Sequence, residues 1–206
     1  NINDVNWIPL ISLPRILGVE PNKPIINHPY ISVNNTLINK WKSILSNENK
    51  PIIGINWQGN KNLEKVYKGR SIELEKFSTF LQKNDIKLLS LQKGYGSEQL
   101  DKCSFRDDFV KCQSEIEKVW DFSEIAAIIE NCDLIITCDT AVAHLAGGIG
   151  KKVLLLLKYI PYWTWGFQSD KTFWYPSMIL FRQKEKENWQ ELIKRVSSEI
   201  YKYIDK

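Results

Sequence analysis

Residues 133–150 read DLIITCDTAVAHLAGGIG, and this stretch decides the fold. Leu134, Ile135, Ile136 and Thr137 make a short, continuous apolar and β-branched run, the pattern of a strand buried on both faces. Polar character returns at Asp139-Thr140. Ala141, Val142, Leu145 and Ala146 then recur at helical spacing, and Gly147, Gly148 and Gly150 read as helix-stop residues. A strand, a polar corner and a helix N-terminus thus follow one another almost without a loop. In an open parallel sheet such a corner lies at the carboxyl edge, where ligands bind. The free amides and positive dipole end of the helix make it an anion site. Asp139 and Thr140 are also favoured N-caps, so plain capping is the alternative. His144 lies one turn beyond Thr140 and is expected to look into the same corner.

Working outward, the same rhythm recurs on both sides. Upstream, Ile52 to Trp57 reads as a first buried strand, running into the loop Gln58-Gly59-Asn60-Lys61-Asn62. Ser71 is the expected N-cap of a helix carrying Leu74, Phe77, Phe80 and Leu81. Lys87 to Leu91 is a second strand ending in Gln92-Lys93-Gly94-Tyr95-Gly96, and residues 109–112 are expected as a short third. Asp121 opens a helix through Ile125 and Ile128. Downstream come a very apolar strand at 152–157, a long loop at 159–177, a strand at 178–181 and an amphipathic helix from Trp189 to Ile204. Strands alternating with helices are the pattern of a doubly wound, parallel α/β sheet. Residues 1–50 differ: Pro9, Pro14, Pro21, Pro24 and Pro29 interrupt an apolar entry segment, followed by a helix from Thr36 to Leu45 with Thr36 as its cap. The expected organisation is this entry segment, lying along a surface of this domain or of a neighbour, and a sheet domain over 51–206.

The 206 residues carry 28 basic and 24 acidic side chains, a net charge of +4 spread too evenly for a nucleic-acid binder. No apolar run reaches the length of a membrane helix, and no signal peptide is visible. Cys103, Cys112, Cys132 and Cys138 lack Cys-x-x-Cys spacing and read as reduced thiols of a cytoplasmic protein. The opening on Asn1 rather than methionine is expected of a piece of a longer protein.

Polar residues end three of the strands: Gln58 to Asn60, Gln92 to Gly96, and Asp139-Thr140. Parallel strands bring these ends to one edge, where they can surround one ligand. Lys61, Arg70 and Lys93 could neutralise phosphate, Arg70 through a bidentate fork; solvated lysines and turn glycines are the other reading. The Gly-x-Gly-x-x-Gly dinucleotide fingerprint and a Walker loop are both missing, which argues against a nicotinamide-dependent dehydrogenase. His144 has no second histidine or cysteine at ligand spacing on its helix, so no metal is expected. His28 reads as structural. The aromatic loop from Tyr159 to Phe167 either packs on itself or meets a ligand or partner, and Trp163 is its candidate for ligand contact.

The run Asp139-Thr140-Ala141-x-x-His144-Leu145-Ala146-Gly147 resembles the donor-site motif of heptosyltransferase-like (family 9) glycosyltransferases, particularly versions at the C-terminus of tetratricopeptide-repeat proteins. Trp57-x-Gly59-Asn60, Arg70-Ser71-Ile72, Leu91-Gln92-Lys93-Gly94, Asp121-Phe122 and Trp174-Tyr175-Pro176 follow the family's order over residues 50–185. The resemblance implies the C-terminal, Rossmann-like half of a GT-B glycosyltransferase, inverting and without a required metal or cofactor. Its partners would be a nucleotide-diphosphate sugar and an N-terminal GT-B or repeat domain. It also implies roles. Thr140 and Ala141 amides would hold the diphosphate, Asp139 and His144 would contact donor sugar or phosphate, and Arg70 would stabilise the leaving diphosphate. Trp57, Gly59 and Asn60 would border the donor; Gln92, Lys93, Trp120 and Asp121 would border the nucleoside. The general base would come from the N-terminal domain, so this chain alone is expected to be inactive. A non-catalytic nucleotide- or protein-binding module of the same fold is the alternative.

Overall fold

The computed structural model describes residues 6–20, 28–66 and 68–204. A 3₁₀ turn, Leu10–Ser12, leads into α1 (Leu13–Ile16), with Pro14 in the first turn where its missing N–H costs nothing. Asn34 caps α2 (Asn35–Leu45) by accepting from the Thr36 amide, so the cap falls two residues before the expected Thr36. Then follow β1 (Ile52–Asn56), α3 (Lys61–Val66), α4 (Ser78–Leu81), β2 (Lys87–Ser90), α5 (Gln113–Glu117) and α6 (Phe122–Glu130). The focal unit is β3 (Leu134–Cys138) with α7 (Ala141–Ile149); β4 (Val153–Leu157), β5 (Met178–Arg182), α8 (Trp189–Ser197) and α9 (Tyr201–Ile204) complete the order.

All five strands are parallel, in the order β2-β1-β3-β4-β5. The chain steps from β1 outward to β2, then crosses back over β1 to β3. The topological switch point therefore lies between β1 and β3, where Asn56 pairs with Thr137 in register. Both sheet faces are covered. Ile135, Val153 and Leu155 pack under α2, α6 and α7, while Leu134, Ile136 and Cys138 pack with Phe77, Phe80, Leu192 and Ile193. The continuous apolar runs in β3 and β4 follow from that double burial.

Several local expectations are corrected by tertiary partners. The strand expected at 109–112 is reduced to one bridge, Phe109 with Leu88, and one bond from the Val110 amide to the Leu88 carbonyl. The Gln113 side chain takes the place of the missing strand, accepting from the Ser90 amide and donating to its carbonyl. Ser71 caps no helix. It donates to Glu64, and the following 3₁₀ turn begins at Leu74. The last helix breaks at Ser198 and resumes at Tyr201. Gly147 and Gly148 lie inside α7: an added Cβ would meet the Tyr175 ring at 2.6 Å and Ile31 at 2.5 Å. Only Gly150, at φ +93°, is the left-handed cap.

The entry segment splits in two. The Tyr30 and Ile31 amides both donate to the Gly148 carbonyl, and His28 Nε2 sits 2.6 Å from the Gly147 carbonyl, a structural role. Trp7, Leu10, Ile11, Ile16 and Leu17 are exposed. Residues 1–5 and 21–27, with Pro21 and Pro24, lie outside the described residues. All four cysteines are free, with Cys132 and Cys138 buried; burial pushes the Cys132 thiol up to about 12. No described helix is long and apolar enough to cross a membrane.

Candidate functional site

Three strand ends are tied together beneath the cleft by buried amides and hydroxyls. Gln92, just past β2, accepts through Oε1 from Asn56 Nδ2 at 2.8 Å, the Trp57 amide at 3.2 Å and the Gln58 amide at 3.0 Å. Its Nε2 donates to the carbonyls of Gln58 and Tyr95 at 3.0 and 2.8 Å. Asn56 Oδ1 in turn accepts from Thr140 Oγ1 at 2.9 Å and Thr137 Oγ1 at 3.3 Å. Gln92 thus holds both loops, and Asn56 joins them to the corner after β3. Asn56 and Thr137 were not among the sequence candidates. Their signal was a polar residue inside an otherwise apolar strand, which must find a partner when buried.

The network also decides what the corner offers. The Thr140 hydroxyl turns inward to Asn56, and no side chain caps the first turn of α7. Thr140 occupies the N-cap position without capping, so the first amides of α7, on Ala141 and Val142, are left without a side-chain acceptor, and both residues border the cleft. They line a cavity of about 560 Å³ with Gln58, Gly59, Asn60, Lys61, Arg70 and Gln92, walled on its apolar side by Leu91, Phe122 and Ile125. A second cavity of about 280 Å³, lined by Asp139, Leu156, Pro161 and Tyr162 among others, shares Leu63 and Arg70 with the first. Asp139 and Thr140 therefore serve different cavities, with Arg70 between them.

Arg70 is held from three sides. Its Nη1 donates to the Asp139 carbonyl at 3.2 Å, and its Nε lies 3.6 Å from Glu64 Oε2. Glu64 itself accepts from the Gly69 amide and the Ser71 hydroxyl. Gly59 lets the guanidinium lie close against the backbone, since a Cβ would stand 2.5 Å from Arg70 Nη2 and push it aside. The helix α3 that carries Glu64 begins at Lys61, inside the loop expected over 58–62.

Not every candidate reaches the cleft. Trp57, expected at the ligand, is fully buried and donates from Nε1 to the Gly96 carbonyl at 3.2 Å; it supports the loop from below. Lys93 borders the larger cavity, but its ammonium is turned back to the Ile116 carbonyl, and burial lowers its pKa. Trp120 is exposed with its ring near Gly94, and Asp121 caps α6 by accepting from the Ser123 and Glu124 amides. Trp163 is exposed beside Tyr162 and lines neither cavity, whereas Trp165 and Tyr175 are packed inside.

His144 also lies outside both cavity linings. Its ring stacks on Trp165 at 5.2 Å, and Nδ1 is 2.9 Å from the Tyr175 hydroxyl. Tyr30 donates to Tyr175 at 3.3 Å. Desolvation by these rings lowers the imidazole pKa, against the opposing pull of Asp139. A proton NMR titration is expected to place its midpoint below 6.5, and Asp139→Asn to lower it further. A midpoint above 6.5 would contradict this. Protonation in acid is resisted only by the folded chain, so the contribution of this ring to stability is full above 6.5 and declines as pH falls.

No group of three or more His, Cys, Asp or Glu among the described residues could hold a metal ion. No protein-family model matches the chain, and no curated protein matches it. Solved structures do. The glycosyl transferase family 9 structure from Veillonella parvula matches at TM-score 0.58 and 14% identity, covering 94% of this chain and 57% of that one. The E. coli ADP-heptose lps heptosyltransferase II matches at TM-score 0.60 and 14% identity, covering 88% and 55%. The chain spans little more than half the length of each. At this identity the likeness is one of fold: a Rossmann-like, five-stranded parallel α/β domain of the kind found in these glycosyltransferases.

Proposed function

We propose that this chain is the C-terminal, donor-binding half of an inverting, metal-independent GT-B glycosyltransferase, and that the larger cavity takes the nucleoside diphosphate of a nucleotide sugar. The observation that carries this reading is the uncapped N-terminus of α7 on the same cavity as Arg70, a cavity that apolar residues also line. The amides of Ala141 and Val142 and the guanidinium supply fixed donors for two phosphates, while Leu91, Phe122 and Ile125 suit a base. The fold likeness to two glycosyltransferases supports it. Donors aimed at the diphosphate stabilise the charge that builds as the sugar departs. His144 lines neither cavity and packs on Trp165 and Tyr175, so it is given no contact with the nucleoside diphosphate. The base that deprotonates the acceptor belongs to a separate N-terminal domain, so this chain alone transfers no sugar.

A direct test is Ala141→Pro. Proline is favoured at the first position of a helix, and Thr140 is already extended at φ −145°, ψ 174°. The variant keeps the fold but deletes one phosphate donor. Calorimetric titration with UDP, GDP, ADP and CDP is expected to find one bound by the parent chain. The variant should bind it about 10- to 100-fold more weakly, the worth of a charged hydrogen bond. Unchanged affinity removes the helix terminus from the site. A second reading, a protein-binding module of the same fold, is favoured by the exposed Tyr159, Ile160, Trp163 and Phe167. It predicts no binding of any of the four nucleotides, by this chain or by one carrying the N-terminal domain.

A further inference from the structure

Lys61 opens helix α3 and Tyr95 stands on the loop after β2, yet both line the larger cavity. The Lys61 ammonium lies over the Tyr95 ring, 5.3 Å from its centroid. Both side chains are exposed, and no carboxylate pairs with Lys61 among the described residues. The pair therefore forms an exposed cation–π contact on the lining of the cavity.

We propose that this contact is exchanged on ligand binding: the diphosphate draws the Lys61 ammonium off the ring, and the freed face of Tyr95 stacks on the base. The proposal rests on the donor-site reading above and adds two ligand-binding residues to it. Physical chemistry sets the direction of the exchange. An exposed cation–π contact is weak, whereas an ammonium on a phosphate makes a charge-assisted hydrogen bond. The Arg70 and α7 donors are anchored and cannot follow the ligand; Lys61, on a flexible four-carbon stem at a helix start, can. The aromatic face it vacates borders a cavity already walled by Leu91, Phe122 and Ile125, where a base gains stacking without needing a specific edge. Tyr95 thereby distinguishes a nucleotide from inorganic pyrophosphate.

The two ligands separate the two roles. The 206-residue chain, its Lys61→Gln variant and its Tyr95→Leu variant are titrated calorimetrically with inorganic pyrophosphate and with UDP, GDP, ADP and CDP. Circular dichroism checks that each variant is folded. Lys61→Gln is expected to weaken both pyrophosphate and the preferred nucleotide about tenfold. Tyr95→Leu is expected to weaken the nucleotide about tenfold but to tighten pyrophosphate by up to about threefold, because the ring no longer competes for the ammonium. Unchanged pyrophosphate affinity in Lys61→Gln overturns the exchange. Equal losses of both ligands in Tyr95→Leu mean that the ring only props the lysine, which overturns the stacking. A parent chain that binds its ligands while both variants match it overturns this proposal alone. A parent chain that binds neither pyrophosphate nor any nucleotide overturns the donor-site reading with it.

Discussion

Arg70→Ala is expected to weaken nucleoside diphosphate binding about 100-fold, the largest loss of any single side chain in the cleft. Arg70 borders both cavities, and its guanidinium is oriented before any ligand arrives by the Asp139 carbonyl, Glu64 and the Gly59 backbone. Its Nε is buried without a hydrogen-bond partner, a donor poorly satisfied by the protein alone. A planar fork held this way meets two phosphate oxygens without losing side-chain freedom on binding. Arg70→Lys keeps the charge and loses the fork, so it is expected to recover only part of the affinity, leaving a loss of about tenfold. Calorimetry with the preferred nucleotide checks both. Full affinity in Arg70→Ala would remove the guanidinium from the site, and full affinity in Arg70→Lys would show that charge alone suffices. Helix α3 should survive either change, since Glu64 keeps its bonds to Gly69 and Ser71.

Gln92→Leu is expected to cost about 4 kcal/mol of stability, far more than its size suggests. The substitution leaves Asn56 Nδ2 and the Trp57 and Gln58 amides without their shared acceptor, and the Gln58 and Tyr95 carbonyls without a donor. Each buried group left unpaired costs about 1–3 kcal/mol, and relaxation of the loops recovers part of the sum. Urea unfolding followed by circular dichroism should show a large fall in midpoint. A loss under about 1 kcal/mol would mean that water replaces the side chain without penalty. Nucleotide binding should also weaken in the folded fraction, because Gln58, Gly59 and Tyr95 are placed by the loops that Gln92 joins.

Much of this arrangement was legible in the chain before folding was considered. The alternation of apolar runs with helical stripes specified a parallel α/β sheet, and every strand of the sheet was anticipated near its observed place. Asp121 was readable as a helix opener because an N-cap depends only on residues two or three positions away. The convergence of the loops after β1, β2 and β3 followed from parallel strand direction alone. The same reasoning misplaced Trp57, because a large aromatic at a strand end can face the ligand or the core. Only the packing against the second layer chose the core.

The sequence by itself determined the periodicities, the Asp121 cap and the polar strand ends, since each is a property of neighbours within a turn or a pleat. Tertiary structure decided which side chain answers which. Gln113 replaces a strand by pairing with the Ser90 backbone, Gly147 and Gly148 admit Tyr175 and Ile31, and the Thr140 hydroxyl turns to Asn56 and leaves its helix uncapped. His144 likewise faces Trp165 and Tyr175 rather than the cavities, and Arg70 is set by Glu64 and Asp139 from separate elements. Except for Glu64 and Arg70, these partners lie tens of residues apart. A buried polar group must be satisfied by whatever the fold brings within about 3 Å of it, and no local pattern in the chain encodes that distance.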